Sequence, residues 1–205
     1  ASLGTFPLLL VTHPSVPVRT LPELIALAKA KPGELNFASA GSGGGAHLAA
    51  ELFSRTAGVS MVHVPYKGTG PAVLGVLGGQ VSLMFASVPS VIQHVRVGKL
   101  NALAVTSSQR SPAAPELPTV SEAGLPGYDV VSWFGIVAPT GTPPDIVKRL
   151  NEDVRRVLVS PEFQDRLKDE GGRALTMTPE EFTTFIRNEA VRWAKVVRDV
   201  GAKLD

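Results

Sequence analysis

The sequence predicts an α/β fold built on a mainly parallel sheet, and three observations carry that expectation. Short β-prone runs alternate with helical stripes over the first two thirds of the chain, the pattern of repeated strand–helix–strand units with helices on the faces of the sheet. Such units require right-handed crossovers. Proline and glycine punctuate the alternation where helices start and stop. Finally, the 28 residues from Gly68 to Val95 hold no Asp, Glu, Lys or Arg, which by length alone would allow a membrane span. Gly75, Gly78, Gly79, Gln80 and Pro89 instead cut them into helix, turn, strand and helix.

Taken in order, Leu8–Thr12 is an apolar strand. Thr20 caps a helix from Leu21 to about Lys31, with Pro22 in its first turn and Gly33 beyond its end. Asn36–Ser39 is a strand, followed by the glycine cluster Gly41–Gly45. His47–Ala57 carries the stripe Leu48, Leu52, Phe53 and closes at Gly58. Strands at Met61–Val64, Val81–Phe85 and Leu100–Thr106 then alternate with helices at Pro71–Leu77 and Pro89–Val97. After the loop-rich Ser107–Pro126 the composition changes. Residues 1–132 carry 14 charges, whereas 133–205 carry 24, which marks a domain change near Ser132–Gly135. One strand, Val130–Ala138, precedes three charged helices at Pro143–Val159, Pro161–Gly171 and Pro179–Val200, with Thr142, Ser160 and Thr178 as N-caps. Thr178 to Glu181 reads as a capping box ahead of an apolar face of Phe182, Phe185, Ile186 and Trp193.

Composition removes several function classes. The chain has 205 residues, 20 basic and 18 acidic, for a net charge of +2, too balanced to recruit nucleic acid. No cysteine is present, so disulfides, thiolate catalysis and cysteine-bound zinc are excluded. His13, His47, His63 and His94 lack metal-ligand spacing, and neither a metal nor a cofactor is expected.

The feature that can carry chemistry is the run from Phe37 to His47. A strand enters serines and glycines and then a helix, which leaves backbone N–H groups unpaired at the positive end of a helix dipole. Ser39 and Ser42 add hydroxyls, and His47 in the first helical turn can face a bound anion or serve as a cap. No lysine lies between Lys31 and Lys67, so this is not a Walker loop. Forcing a dinucleotide fingerprint onto Gly41, Gly43 and Ala46 leaves Val64–Lys67 without the acid that would hold a ribose. A carboxylate is the expected ligand. Trp133 and Phe134, at the domain change, are either a core plug or a cleft wall. No catalytic residue is assigned: His47 as an acid or base lacks a titratable partner at motif spacing.

Several stretches together resemble a known family, the extracytoplasmic solute receptors of tripartite tricarboxylate transporters, or Bug family. They are Phe37–Gly43 with His47–Phe53, His63–Gly68 with Pro71 and Ala72, Gly98–Leu100, Arg110, Leu117–Gly124, Trp133–Gly135, and Ala138, Pro139 and Gly141–Pro143. The resemblance runs through the whole chain. It implies a type II periplasmic-binding-protein architecture: two α/β lobes joined by two strand crossings, with the ligand between them. Members bind dicarboxylates, tricarboxylates, acidic amino acids or aromatic acids and deliver them to membrane permease subunits. By resemblance, lobe two spans residues 11–132, while 1–10 and 133–205 belong to lobe one, whose N-terminal third, with its signal peptide and first ligand loop, is absent.

The ligand-binding positions the resemblance implies are Ser39, Ala40, Gly41, Ser42, Gly43, Gly44 and His47, then Tyr66, Ala86 and Ser87, then Trp133 and Phe134. Two positions depart from the family pattern. Ser82 stands where Asp is usual, and Ala86–Ser87 replaces a polar pair, which removes a partner for a ligand ammonium group and points to a plain organic acid. A signalling receptor is the alternative function, and an enzyme using His47 a lesser one. The 205 residues are expected to expose apolar surface on lobe one and to associate with another copy or with an N-terminal fragment.

Overall fold

The computed structural model describes residues 1–200, with side chains through Arg198. Its first strand organises everything else. β1 (Ser2–Thr12) is 11 residues long and changes partners halfway. Leu8–Thr12 runs antiparallel between β4 (Leu83–Ser87) and β5 (Asn101–Val105), Leu10 facing Phe85 on one side and Ala104 on the other. Ser2–Pro7 runs antiparallel between β6 (Val131–Gly135) and the two-residue β7 (Arg173–Ala174), Thr5 facing Trp133 and Arg173. The handover falls between Pro7 and Leu8, so that Leu8 opens the second stretch three residues ahead of the Val11 at which the sequence places the start of lobe two. The strand reaches further back than Leu8 because Gly4 and Pro7 interrupt its apolar pattern without breaking its extended backbone.

Beyond β4 the sheet continues in parallel through β2 (Asn36–Ser39) to β3 (Val62–Pro65), giving the order β3-β2-β4-β1-β5. Four of these strands point one way and β1 alone runs against them. Strand alternation then builds two cores. Leu8, Leu10, Phe37, Leu83 and Phe85 face α1 (Leu21–Ala30) and α2 (Gly45–Ala57), where Phe53 and Tyr128 complete the packing. Leu9, Val11, Ala38, Met84 and Ala86 face α3 (Thr69–Leu77) and α4 (Val88–Arg96). Local signals fix the helix ends. Thr20 and Glu23 form a capping box on α1, and Gly58 closes α2 in the left-handed conformation at φ 63°.

Thr106, fully buried, joins the two strand crossings. Its hydroxyl accepts the Leu8 N–H at 2.8 Å and donates to the Val130 carbonyl at 2.6 Å. Its own backbone donates to Leu8 and accepts from Val130, at 3.0 and 2.8 Å. Val130 is thereby tied to the end of β5 immediately before β6 begins.

The C-terminal part packs less completely. α5 (Pro144–Leu158), α6 (Pro161–Asp169) and α7 (Pro179–Val200) follow, and Thr178 caps α7 reciprocally with Glu181. Ser160 stands at the N-cap of α6 as expected but its hydroxyl donates to the Val157 carbonyl, and Pro143 takes the N-cap place expected of Thr142, which donates to the Pro139 carbonyl. α5 and α6 therefore start on proline alone, whose missing N–H suits a first turn. α7 lies against α2, and Trp193 joins the first core. On α5, Ile146, Leu150 and Val157 are 46%, 51% and 55% exposed, and after β6 Val137 is 77% exposed.

Candidate functional site

β2 and β4 are parallel neighbours, so the helices that follow them, α2 and α4, begin at the same edge of the sheet. The loop from Ser39 to Gly44 lies between β2 and α2. Gly41 at φ 146° and Gly43 at φ 76° hold backbone conformations that a side chain would strain. The loop is tied down on both flanks. Tyr66 and Gly68 donate backbone N–H groups to the Ser39 and Ala40 carbonyls at 2.9 and 3.0 Å. The Gly43 N–H donates to Nδ1 of His47 at 2.9 Å.

Helix α2 opens without a side-chain cap and without an acidic residue in its first turn. Its first helical bond runs from Leu48 N–H to the Gly44 carbonyl at 3.0 Å. The N–H groups of Gly45, Ala46 and His47 therefore precede the helical ladder, and the dipole places partial positive charge there. Gly44 and Gly45 are exposed, and Gly45 is bordered by the half-buried Ser132, whose Oγ lies 3.7 Å from where a Cβ on Gly45 would stand. α4 likewise starts with no acidic residue, on an exposed Ser87 whose Oγ bonds Ser90 at 3.0 Å. Two uncompensated helix starts at one sheet edge suit a carboxylate.

The expected site residues divide into two groups. Ala40, Gly41, Ser42, Gly43 and Gly44 form the accessible loop, with Ser87 at the neighbouring helix start. Ser39 is turned inward and fully buried: its hydroxyl donates to the Gly41 carbonyl at 3.0 Å, accepts the Gly41 N–H at 3.2 Å, and meets Nε2 of His63 at 2.6 Å. With its one proton on the Gly41 carbonyl, the hydroxyl accepts from Nε2 of His63, the reverse of the pairing that activates a serine nucleophile. Tyr66 contributes its backbone to the loop while its ring lies on α3, so close to Gly75 that a Cβ there would stand 2.3 Å from the hydroxyl. Ala86 points with Met84 into the second core, because alternation along β4 leaves only Ser87 at the edge. Ala86 is 1% exposed.

Trp133 and Phe134 also separate. Neighbours on a strand face opposite sides, and Trp133 packs edge-on to Phe182 and Phe185 of α7 at 5.8 and 5.4 Å. Phe134, 55% exposed, sits edge-on to Phe6 at 5.5 Å. Phe134 and Ser87 line one cavity of about 230 Å³ with Pro7, Pro89, Ser132 and Glu170. Trp133 borders another of the same size with Gly45, Leu48 and Trp193, and Ser132 touches both.

Sequence reasoning missed the aromatic stack behind the loop. The His47 and His63 rings lie 3.8 Å apart and within 9° of parallel, and Phe37 lies alongside both, 4.9 Å from His63 and 6.2 Å from His47. The signal lay in the β2–β3 register, which sets Phe37 opposite His63. It missed Glu170 as well, whose carboxylate pairs with Arg166 at 3.5 Å. A separate polar cavity near Arg110 and Arg173 has its cations engaged. Arg110 pairs with Glu122 at 2.9 Å, and Arg173 donates to the Arg110 carbonyl at 3.1 Å. Among the described residues no group of three His, Asp or Glu could hold a metal, and no helix is long and apolar enough to cross a membrane.

Comparison with known proteins decides the affiliation. The model of the tripartite tricarboxylate transporter family receptor, TctC, matches residues 1–202. The chain belongs to the TctC receptor family. Among TctC relatives, protein BugT of Bordetella pertussis is 42% identical over 202 residues, covering 98% of this chain and 62% of BugT. A structure of Rhodopseudomonas palustris Rpa4515 with adipate superposes at TM-score 0.90 with 34% identity, over 100% of this chain and 68% of that one. MatC of Rhodopseudomonas palustris with bound malate gives TM-score 0.79 and 35% identity, over 96% and 68%. The chain thus spans about three fifths of the length of BugT. These TctC neighbours agree with a partial type II periplasmic-binding-protein fold of mixed α/β layers.

Proposed function

We propose that these residues form the larger part of a solute-binding receptor that holds a small organic carboxylate between two lobes and passes it to membrane permease subunits from the periplasm. The observation that carries this reading is the uncapped start of α2 behind the Ser39–Gly45 loop, where three N–H groups meet no acidic side chain. Support comes from two relatives of similar fold whose structures hold adipate and malate.

The ligand is a plain acid without an ammonium group. Ser87 is the polar side chain that β4 offers at the edge, Ala86 faces the core, and the nearby Glu170 is paired with Arg166. Calorimetric titration of the full gene product with adipate, malate, succinate, citrate and benzoate, set against aspartate and glutamate, tests this. Binding of the amino acids alone rejects the specificity, and binding of neither group rejects the function.

The division of lobes follows the β1 handover, with lobe two from Leu8 to Val130 and the remainder in lobe one. Phe134, Ile136 and Val137 together with the α5 stripe then face the portion of lobe one that the longer relatives possess. Without that portion, copies of these 205 residues associate through the same surface. Light scattering of the 205 residues against the full gene product reads this directly. A monodisperse monomer of the shorter chain at high concentration contradicts it.

A further inference from the structure

We propose that His47 is the positioning residue of the Ser39–Gly45 loop, and that it acts only as a neutral imidazole carrying its proton on Nε2. The proposal rests on the reading of that loop as a carboxylate site. Its basis is the hydrogen-bond geometry. Nδ1 of His47 receives the Gly43 N–H at 2.9 Å, so that nitrogen must hold a lone pair. The remaining proton is then on Nε2, which faces the Glu51 carboxylate at 3.5 Å one helical turn along. Protonating His47 places an N–H on Nδ1, donor against donor, and the Gly43 tether is lost.

The surroundings hold the ring where this matters. His47 is 6% exposed and lies flat against His63, itself stacked on Phe37 and bonded to Ser39. The loop is thereby clamped from both ends by one stacked pair: His63 at its entry through Ser39, His47 at its exit through Gly43. The two stacked rings cannot both become cationic without repulsion at 3.8 Å. The charged and titratable groups around them are Glu51 on α2, which faces His47, and Arg55 one turn beyond. Tyr128, whose hydroxyl donates to the Ala49 carbonyl, and Glu189 and Arg192 of α7, paired at 3.3 Å, come from the elements packed on α2.

A cationic His47 would draw an anion toward it, but the ring sits behind the loop. Releasing Gly43, in its left-handed conformation, frees the turn that aims the N–H groups of Gly45 and Ala46. Loss of aim outweighs the gain in charge, so carboxylate affinity falls as imidazoles protonate.

The test uses the full gene product with adipate as the probe, followed by calorimetry. His47→Gln sets its amide at the Nε2 position and leaves Gly43 without an acceptor; adipate binds about 3- to 10-fold more weakly, the effect of one hydrogen bond. His47→Asn sets Oδ1 near the Nδ1 position and rescues most of that loss. Wild-type affinity declines on acidification, because the Gly43 tether needs the bare Nδ1, whereas that of His47→Asn stays flat. Equal binding by the Asn and Gln variants overturns the proposal, and so does a wild-type profile as flat as that of His47→Asn. A ligand-free readout separates this from the function itself. Nitrogen NMR of the His47 ring is expected to give Nε2 protonated and Nδ1 bare, with the Gly43 amide resonance shifting as His47 titrates. Should wild type bind no organic acid, the receptor reading fails, while the ring tautomer and the Gly43 amide still decide the positioning role. A protonated Nδ1 on neutral His47 rejects it.

Discussion

The two halves of β1 lie in contrasting company. From Leu8 onward the strand is walled by helices on both faces, and Phe37, Phe53 and Phe85 beside it are fully buried. From Ser2 to Pro7 it is flanked by a five-residue strand and a two-residue one, and nearby Phe134 stays 55% exposed. The same strand is therefore covered on both faces at one end and only thinly flanked at the other. Core completeness follows from how many layers reach a sheet and not from the apolarity of the strand itself. β6 carries Val131, Trp133 and Phe134, and Trp133 meets α7 through Phe182 and Phe185 while Phe134 stays exposed.

This contrast is sharpest under truncation of an aromatic ring. Phe53→Ala removes a ring packed on Phe85 and Tyr128 at 5.6 and 6.5 Å, and is expected to cost about 3–5 kcal/mol in urea denaturation. Phe134→Ala in the same 205 residues is expected to change stability by less than about 1 kcal/mol. Equal costs would mean that the two ends of β1 are equally covered. Next in size is Thr106→Val, which strips the joint of the hydroxyl that serves Leu8 and Val130. A loss of about 2 kcal/mol is expected, since two buried backbone groups lose their partner. If unfolding then splits into two transitions, Thr106 is what couples the halves.

Tyr128→Phe tests the first core alone and is expected to cost about 1 kcal/mol, for the hydroxyl donated to Ala49. Burial pushes the Tyr128 phenol up, above the ordinary tyrosine range, against a small opposing effect of Arg192. The folded state therefore favours the neutral phenol. Its contribution is full below the ordinary value near pH 10 and is lost as the pH rises above it, where the unfolded chain can ionise and the folded one resists. Denaturation midpoints of wild type and Tyr128→Phe should converge in alkali, and a gap that widens there would contradict the burial. The smallest effect on stability belongs to Leu150→Ser on the exposed α5 stripe, within about 0.5 kcal/mol. It should nevertheless reduce self-association of the 205 residues in light scattering. Unchanged scattering removes α5 from the uncovered surface.

The legible part of the fold was the part governed by neighbours in sequence. Thr20 with Glu23, and Thr178 with Glu181, announce their helices because the capping bonds span three residues. The glycine loop before α2 was visible for the same reason. β7 was not, since Arg173–Ala174 has neither length nor alternation and is a strand only because β1 lies beside it. The site shows the same limit. Which loop residues are accessible could be read from the serine and glycine run, but Ser39 turns inward because His63, 24 residues on, claims its hydroxyl. Ala86 was assigned to the cleft by family pattern, although alternation from Leu83 through Phe85 to Ser87 already put it on the other face. Trp133 and Phe134 could likewise have been separated by alternation alone.

The strand that joins both halves also sets an order of assembly. Of the residues described, β1 leaves the ribosome first, yet Leu8 waits for Ser87, Leu10 for Ala104, and Thr5 for Arg173 near the far end of the chain. Contacts so distant in sequence form slowly. The parallel β2–β3 pair can close early, whereas β1 gains β4 only after Ser87 and β7 only after Ala174 has been made. Of the described strands, β1 therefore stays without its partners the longest.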